Sequence, residues 1–394
     1  MPEMIGGPDR DRTDDLFHAM EARSQLRHRP TLRGATLLLS PLGRGMSNQG
    51  WGGTQHAGFK CFEAPTKWNV SKSGGGGVMQ AAVVNVLGQA PQYQSFPDPV
   101  AQEGEALIKV RAAGLHPIVK ARASGAHYSS DGVVPMVPGV DGVGTLEDGI
   151  RVFFGFSRAP YGSMAERTVA PRKMTIPLPD GIDDVQAAAI ANPGMSAWVS
   201  IKERAGLVAG ETVLILGATG VAGQLAIQTA RMLGAKRVVG VGRNVDAIAA
   251  ADVDAVIALG DKEDAVRDAF AAEAARGIDV VIDYLWGRPT ELLLEALGKG
   301  FRATATHRTR LVEVGESAGK TINLPGAVLR SVDLMLTGSG FGAAKIETIL
   351  AAIPQLFAMT AAGKLKIAVD AVPLAGVESA WNRVEKGRRI VFTV

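Results

Sequence analysis

The stretch from Thr212 to Ala226 has the residue types and spacing to hold phosphate. Thr212-Val213-Leu214-Ile215-Leu216 reads as an apolar strand, Gly217-Ala218-Thr219-Gly220-Val221-Ala222-Gly223 as a turn of small residues, and Gln224-Leu225-Ala226 as the opening of a helix. A strand that runs through glycines directly into a helix aims unpaired backbone N–H groups, and the positive end of the helix dipole, at a pyrophosphate. Gly217 can take the tight turn, Gly220 admits close approach of the phosphates, and Gly223 allows helix and strand to pack closely. Thr219, Val221 and Ala222 complete the cradle. The spacing is G-x-x-G-x-x-G, so the strand–turn–helix setting carries the reading; a plain strand-to-helix turn is the competing one.

The next strand, Arg237 to Val241, ends in Gly242-Arg243-Asn244, which puts Arg243 26 positions past Gly217. Folds that prefer NAD place a carboxylate in this region to hold the ribose 2′-hydroxyl. Here no carboxylate stands in the way of a 2′-phosphate, and a guanidinium can pair with one. NADPH is therefore the expected cofactor, with Arg243 and Asn244 at its adenosine end. A solvated strand-end charge is the alternative for Arg243.

The elements that must position these residues are legible in outline. From Ile201 onward apolar strands alternate with helical stretches, at Thr212 to Leu216, Gln224 to Leu233, Arg237 to Val241, Val256 to Leu259, Asp279 to Asp283 and Thr290 to Leu297. Such alternation predicts a doubly wound parallel sheet of α/β class, covered on both faces. Upstream, Ala81 to Leu87 and Glu105 to Ala112 read as strands, and Gly, Pro and Asp punctuate Ser124 to Gly155, so this part is predicted to be a small β-rich module. After Gly340 an Ala-rich helix to about Ala362 and a final strand, Arg389 to Val394, return to that module. The predicted domains are 79–200, 201–341 and a returning 342–394.

Composition excludes several classes of function. Of 394 residues 46% are hydrophobic, enough for a substantial core. The net charge is +3, but residues 1–78 hold 10 Lys/Arg and 7 Asp/Glu, leaving 32 of each sign downstream. A neutral body gives no electrostatic footprint for nucleic acid or an anionic membrane. No apolar run approaches the length needed to span a bilayer and no secretory signal pattern is present, so a cytoplasmic protein is expected. The single cysteine, Cys61, rules out an internal disulfide. Residues 1–78 are charge-rich, then Gly/Ser/Asn/Gln-rich, and close on Ser73-Gly74-Gly75-Gly76-Gly77. A disordered tail is expected there, with a small domain as the alternative. Asp11 to Ala22 also resembles a stretch that recurs in spurious gene-start translations, which would put the biological start at Met79.

Residues 79–394 resemble the zinc-free quinone oxidoreductase branch of the medium-chain dehydrogenase/reductase superfamily. Besides the glycine loop, Pro138-Gly139-Val140-Asp141-Gly142-Val143-Gly144 resembles that family's P-G-x-[DE]-x-x-G turn, and Tyr161-Gly162-Ser163-Met164-Ala165-Glu166 its G-[ST]-x-A-E segment. The resemblance implies a GroES-like β-rich catalytic domain beside a Rossmann domain, and a homodimer. It also implies that Asn192 and Ser196 lie at the nicotinamide end and that Tyr284 and Trp286 lie across the cofactor. Gly315, with Glu316 and Ser317, and then Gly338, Ser339 and Gly340, would pass backbone along it. For Tyr284 and Trp286, core packing is the competing reading.

Zinc-dependent relatives carry a catalytic Cys, a Gly-His-Glu turn and a further Cys or Asp. This chain has Gly139-Val140-Asp141 at that turn and no cysteine beyond Cys61, and His116, His127 and His307 lack metal-site spacing, so no metal is expected. What remains is hydride delivery to an electrophilic acceptor, a quinone or an α,β-unsaturated carbonyl. A reductase or dehydrogenase of simple carbonyls or alcohols, or a non-catalytic NADPH-binding protein, are the alternatives. Leu115 to Tyr128 resembles the family's N-P-x-D…R-x-G-x-Y segment, with His116 for Asn, Val119 for Asp, and Tyr128 one place late. Tyr128 is the first candidate proton donor and His127 the second. Tyr128 could instead only line the cleft while solvent supplies the proton. His116 is expected to order its loop by a hydrogen bond, and His307 to be structural.

Overall fold

The computed structural model describes residues 77–299, 308–340, 342–384 and 387–394. Cys61 and the expected tail up to residue 76 fall outside these residues, as does His307.

The chain enters the described region on β1 (Val78–Val83), which forms an antiparallel pair with β2 (Gln92–Pro97). Val78 already pairs with Pro97, so the first module begins before Met79 and its first strand ends before Leu87. Next come β3 (Glu105–Gly114), α1 (Pro117–Ala123), β4 (Asp141–Leu146), β5 (Arg151–Gly155), β6 (Arg167–Pro171) and β7 (Thr175–Pro177). With β14 (Val369–Pro373) and β15 (Arg389–Thr393) they form a sheet ordered β14-β15-β3-β4-β5-β7, with β6 also on β3. The last strand thus returns to the first module, where Val391 pairs with Gly114.

The crossover to the second module is one helix. α2 (Asp184–Trp198) starts at Asp183, whose Oδ1 accepts the Gln186 N–H at 2.8 Å, a side-chain cap for one of the first turn's orphan donors. It continues as a π-helical turn, Val199–Arg204, so the expected 200/201 boundary falls inside a continuous helical segment.

Beyond it lie β8 (Thr212–Leu216), α3 (Val221–Met232), β9 (Arg237–Gly242), α4 (Val245–Ala249), β10 (Ala255–Ala258) and α5 (Glu263–Arg276). They are followed by β11 (Val280–Asp283), α6 (Gly287–Gly298), β12 (Thr309–Glu313), α7 (Gly326–Ser331), β13 (Leu334–Gly338), α8 (Ile346–Ala361) and α9 (Val377–Trp381). The strands pair in parallel in the order β10-β9-β8-β11-β12-β13, the doubly wound arrangement whose strand order reverses beside the first strand.

Alternation along the strands explains why both faces are covered. Val213 and Ile215 of β8 and Val280 and Ile282 of β11 join one core with α2, α3 and α8; Leu214, Leu216 and Val281 join another with Phe270 of α5 and Leu293 of α6. Each such side chain contributes about 1.5–3 kcal/mol by leaving water. Among the described residues no helix is long and apolar enough to cross a membrane.

Candidate functional site

The loops after β8, β9, β11, β12 and β13 all leave the same edge of the parallel sheet, its carboxyl end, where open α/β sheets form their binding crevice. Gly217 follows β8 with φ +91°, a left-handed conformation that favours glycine, and its N–H and that of Ala218 both donate to Val241 O at 3.0 Å. α3 begins directly after Gly220 with no side-chain cap, and its first intrahelical bond is Gln224 N–H to Gly220 O. The helix's own geometry therefore leaves the N–H groups of Val221, Ala222 and Gly223 without an intrahelical acceptor. Gly223 is fixed by packing: a Cβ there would stand 2.2 Å from Gly217 O and 2.8 Å from Ala218 Cα. Gly220 is different, since its Cβ would meet only Gly217 O, at 3.4 Å, and the space beyond is open. That cradle fits a diphosphate.

At one end of the cradle lies Thr219, whose Oγ1 would stand 3.5 Å from a Cβ on Gly242 at the close of β9. The next residue, Arg243, is exposed, and Asn244 caps α4 by accepting the Ala247 N–H at 3.1 Å. Among the described residues no hydrogen bond or ion pair holds the Arg243 guanidinium, so it is available to a phosphate. Asn244, by contrast, has its side-chain oxygen engaged in the cap.

At the other end, Gly217 packs on the residues after β11, with its Cβ position 3.2 Å from Tyr284 Cβ and 3.2 Å from Leu285 Cδ2. Asn192 and Ser196 stand one turn apart on α2, both half-buried. Burial pushes the Tyr284 phenol up, and the Ser196 side chain beside it pulls the other way, although the buried hydroxyl completes no hydrogen bond. Trp286 follows with φ +55°, sparsely populated for a non-glycine residue and costing about 1–3 kcal/mol. Asp283, fully buried, holds this turn: its Oδ1 accepts the N–H groups of Leu285 and Trp286, both at 2.9 Å, and Thr290 Oγ1 donates to its Oδ2.

The loops after β12 and β13 extend the same line. Gly315 N–H donates to Asp283 O, Ser317 Oγ donates to Tyr284 O at 2.8 Å, and Ser339 N–H donates to Glu313 O at 2.8 Å. Arg204, carried by the π-helical turn, donates from Nε to Gly338 O at 2.8 Å and from its guanidinium to Thr337 Oγ1. A Cβ on Gly340 would stand 3.7 Å from Tyr128 Oη, so the loop after α1 reaches the nucleotide-binding sheet. There the His127 ring stacks on Tyr128 with centroids 4.1 Å apart, and its Nδ1 lies 2.8 Å from Ser129 Oγ. Burial and the nearby Arg122 push His127 down; partial desolvation and the Glu313 carboxylate push Tyr128 up.

His116 differs from expectation. Its side chain makes no capping hydrogen bond, because Pro117 at the first helical position and the backbone bond Val119 N–H to His116 O already start α1. The ring is instead buried, with Nε2 3.1 Å from Asp141 Oδ1 but not aligned for a hydrogen bond. Among the described residues no group of three or more His, Cys, Asp or Glu side chains is placed to hold a metal ion, and the donors at this turn do not fit a zinc site.

A family model described as zinc-binding dehydrogenase matches residues 233–390. The quinone oxidoreductase of Rattus norvegicus is 30% identical over 245 residues, 59% of this chain and 74% of that one. This chain belongs to the quinone oxidoreductase branch of the medium-chain dehydrogenase/reductase superfamily. A protein of Emericella nidulans, named a probable NADPH-dependent quinone reductase, is 27% identical over 359 residues, 80% of this chain and 99% of its own length. The Thermus thermophilus quinone oxidoreductase, solved alone and with NADPH, is 26% identical with a TM-score of 0.65, covering 80% of this chain and 100% of that one.

Within this family member the sequence missed four residues at the crevice. Asp283, Arg204 and Glu313 contact backbone or side chains of the cofactor-side loops, and Gln224 donates to Thr219 O at 3.1 Å behind the cradle. Asp283 alone gave a local signal, a carboxylate at a strand end before an irregular turn.

Proposed function

We propose that this quinone oxidoreductase family member is an NADPH-dependent, zinc-independent enzyme that delivers hydride to a quinone or an α,β-unsaturated carbonyl compound. The observation that carries the proposal is the continuous line of loops from Arg243 through Thr219, Gly217, Tyr284, Gly315 and Gly340 to Tyr128. Gly217, Thr219, Gly220, Val221, Ala222 and Gly223 would seat the pyrophosphate, Arg243 the 2′-phosphate, and Asn192, Ser196, Tyr284 and Trp286 the nicotinamide half. Gly315, Gly338, Ser339 and Gly340 would run beside it. Bound NADPH supplies the hydride. The chain's part is to orient both reactants, shield them from water, and meet negative charge as it develops on the acceptor oxygen. Tyr128 Oη is the first candidate to give that oxygen a proton. His127, whose imidazole is pushed down by burial and the nearby Arg122, is the second.

The reading extends to a small-molecule acceptor, a cytoplasmic setting consistent with one cysteine, and a homodimer formed along the exposed edge strand β13.

The test is an acceptor panel of quinones, enals and enones with NADPH and NADH, run on wild type and Arg243→Asp. Wild type should consume NADPH in the presence of chelator. In the variant the preference for NADPH over NADH should fall roughly 10- to 100-fold, the size of a lost charge-assisted hydrogen bond. An unchanged preference would remove Arg243 from the site, and tight NADPH binding without turnover would remove the catalytic assignment.

A further inference from the structure

A cavity beside the loop that carries Tyr128 has no part in the line of loops described above. It lies between α1, the stretch from Asp131 to Val140 and the loop after β5, and Val119, Val133, Met136 and Pro160 give it apolar walls. Phe156, at φ +59°, turns the chain out of β5 and into the wall that Ser157 and Pro160 form.

Three polar side chains interrupt that lining: Arg122, Asp131 and Ser157. Arg122 stands half-buried in the last turn of α1, and among the described residues no hydrogen bond or ion pair holds its guanidinium. Arg158, next to Ser157 in sequence, is different: the Glu105 carboxylate accepts from it at 2.8 and 3.1 Å and Val100 O at 3.0 Å, so its charge is already met. Ser157 Oγ is shut off from solvent and completes no hydrogen bond. Asp131 is exposed, so water screens its charge, and among the described residues it forms no ion pair with Arg122.

A guanidinium drawn partly out of water along an apolar wall is costly until an anion meets it. Its planar fork of N–H donors matches the two oxygens of a carboxylate, and a hydroxyl on a second wall supplies a further donor. Apolar walls around such a head suit an organic acid better than a free inorganic ion. The cavity also adjoins the chemistry. Arg122 O accepts the Gly125 N–H at 3.1 Å and the Ser130 hydroxyl at 3.0 Å, and Ala121 O accepts the His127 N–H at 3.2 Å, which folds the loop back on the end of α1. Arg122 stands close enough for its charge to push His127 down. Tyr128, the next residue of that loop, reaches the nucleotide-binding sheet at Gly340.

We infer that this cavity binds the carboxylate of a small organic acid through Arg122, and that this acid is the acceptor; the second half rests on the hydride-transfer reading. The acceptor class then narrows to quinones and α,β-unsaturated carbonyl compounds that carry a carboxylate on an apolar arm. Arg122 sets that specificity, and Ser157 adds a hydrogen bond to the same head.

The first arm of the test needs neither cofactor nor turnover. Calorimetry on the full chain should show hexanoate binding at least roughly 10-fold tighter than methyl hexanoate or pentylamine, the weight of one charge-assisted hydrogen-bonded pair. Arg122→Gln should abolish that preference, Arg122→Lys should keep part of it, and Ser157→Ala should weaken hexanoate by a smaller factor. The second arm compares a naphthoquinone bearing a carboxypropyl arm with its methyl ester, in the presence of NADPH. Wild type should favour the acid in kcat/KM by a factor similar to the binding preference, and Arg122→Gln should not distinguish the two. Equal affinity for acid and ester in wild type, a preference for pentylamine, or an acid preference that survives Arg122→Gln in a folded chain overturns the carboxylate site. Displacement of hexanoate by inorganic phosphate at equal concentration overturns the organic-acid class. Arg122-dependent binding of hexanoate in a chain that reduces no acceptor overturns the hydride-transfer reading and leaves the carboxylate site standing. Reduction of the acid and the ester with equal kcat/KM overturns the acidic acceptor and leaves the hydride-transfer reading standing.

Discussion

Asp283 is fully buried and its carboxylate is committed three times, to the N–H groups of Leu285 and Trp286 and to the Thr290 hydroxyl. Burial pushes this carboxyl up while those three bonds pull it down, and the net direction is up. Removing the side chain strands two buried donors at about 1–3 kcal/mol each. Asp283→Ala should therefore lower stability by roughly 2–5 kcal/mol in denaturant melts and weaken NADPH binding in calorimetry, because the turn holding Tyr284 and Trp286 loosens. Asp283→Asn keeps an acceptor for both N–H groups and should stay near wild type on both readouts. The pH sign follows from the direction of the shift. A carboxyl raised in the fold holds its proton longer than in the unfolded chain. Its stabilising contribution is whole below the unfolded value of about 4 and is lost as pH rises through the raised one. Asp283→Asn should thus flatten the fall in stability on the alkaline side of that window; a melt series from acid to neutral pH that shows equal slopes for both proteins would contradict this. In sequence Asp283 shows only as a carboxylate at the end of an apolar strand. Its importance depends on Thr290 and on burial, both of which exist only after α6 has packed.

At the scale of elements, the two glycines of the cradle have separable duties. A methyl group at Gly223 would drive into Gly217 O and Ala218 Cα, both backbone, so α3 would have to back away from β8. Gly220, at φ −69° and with its nearest neighbour at 3.4 Å, tolerates a methyl group in the folded chain. Gly223→Ala should cost roughly 1–3 kcal/mol of stability as overpacking does, and lose cofactor binding. Gly220→Ala should melt with wild type and still lose affinity for NADPH, because its methyl group occupies the space a phosphate would use. Equal melting temperatures for the two variants would show that the helix–strand approach is not set at Gly223. This cradle was legible before folding because its information is local: strand, turn and helix are contiguous over Thr212 to Ala226. So was the parallel sheet, from alternating apolar segments. Less local features were not. The π-helical turn that aims Arg204 at Gly338 leaves no mark in composition, and Tyr128 Oη comes within 3.7 Å of a Cβ position on Gly340 across more than two hundred positions of chain. Strand ends slipped by a few residues, as at β1, where pairing with β2 and not apolar content sets the limits.

Among the described residues, the outer edge of the parallel sheet at β13 is apolar and exposed. β13 closes the six-stranded sheet on its outer side, and Met335 and Leu336, adjacent in the strand and so pointing to opposite faces, are 38% and 39% exposed. Leu329 on the preceding α7 is 51% exposed. An edge strand with unpaired backbone groups and apolar side chains on both faces is a template for pairing with a second copy, and proteins that avoid this place lysine or proline there. The described residues of β13 include neither. A second copy related by a two-fold axis would meet the same strand and make the contact self-complementary, closing the assembly at two chains. Light scattering on the purified chain should give a mass of two chains, and Leu336→Lys should shift it to one while NADPH affinity, set at the carboxyl ends of the strands, stays within about twofold. A monomeric wild type would put the sheet edge out of use as an interface. A dimeric Leu336→Lys variant would move the interface elsewhere. Because β13 also carries Gly338 at its end, a third result bears on the site: loss of NADPH affinity on monomerisation would mean that pairing along the edge holds Gly338-Ser339-Gly340 in place, coupling assembly to the position of Tyr128.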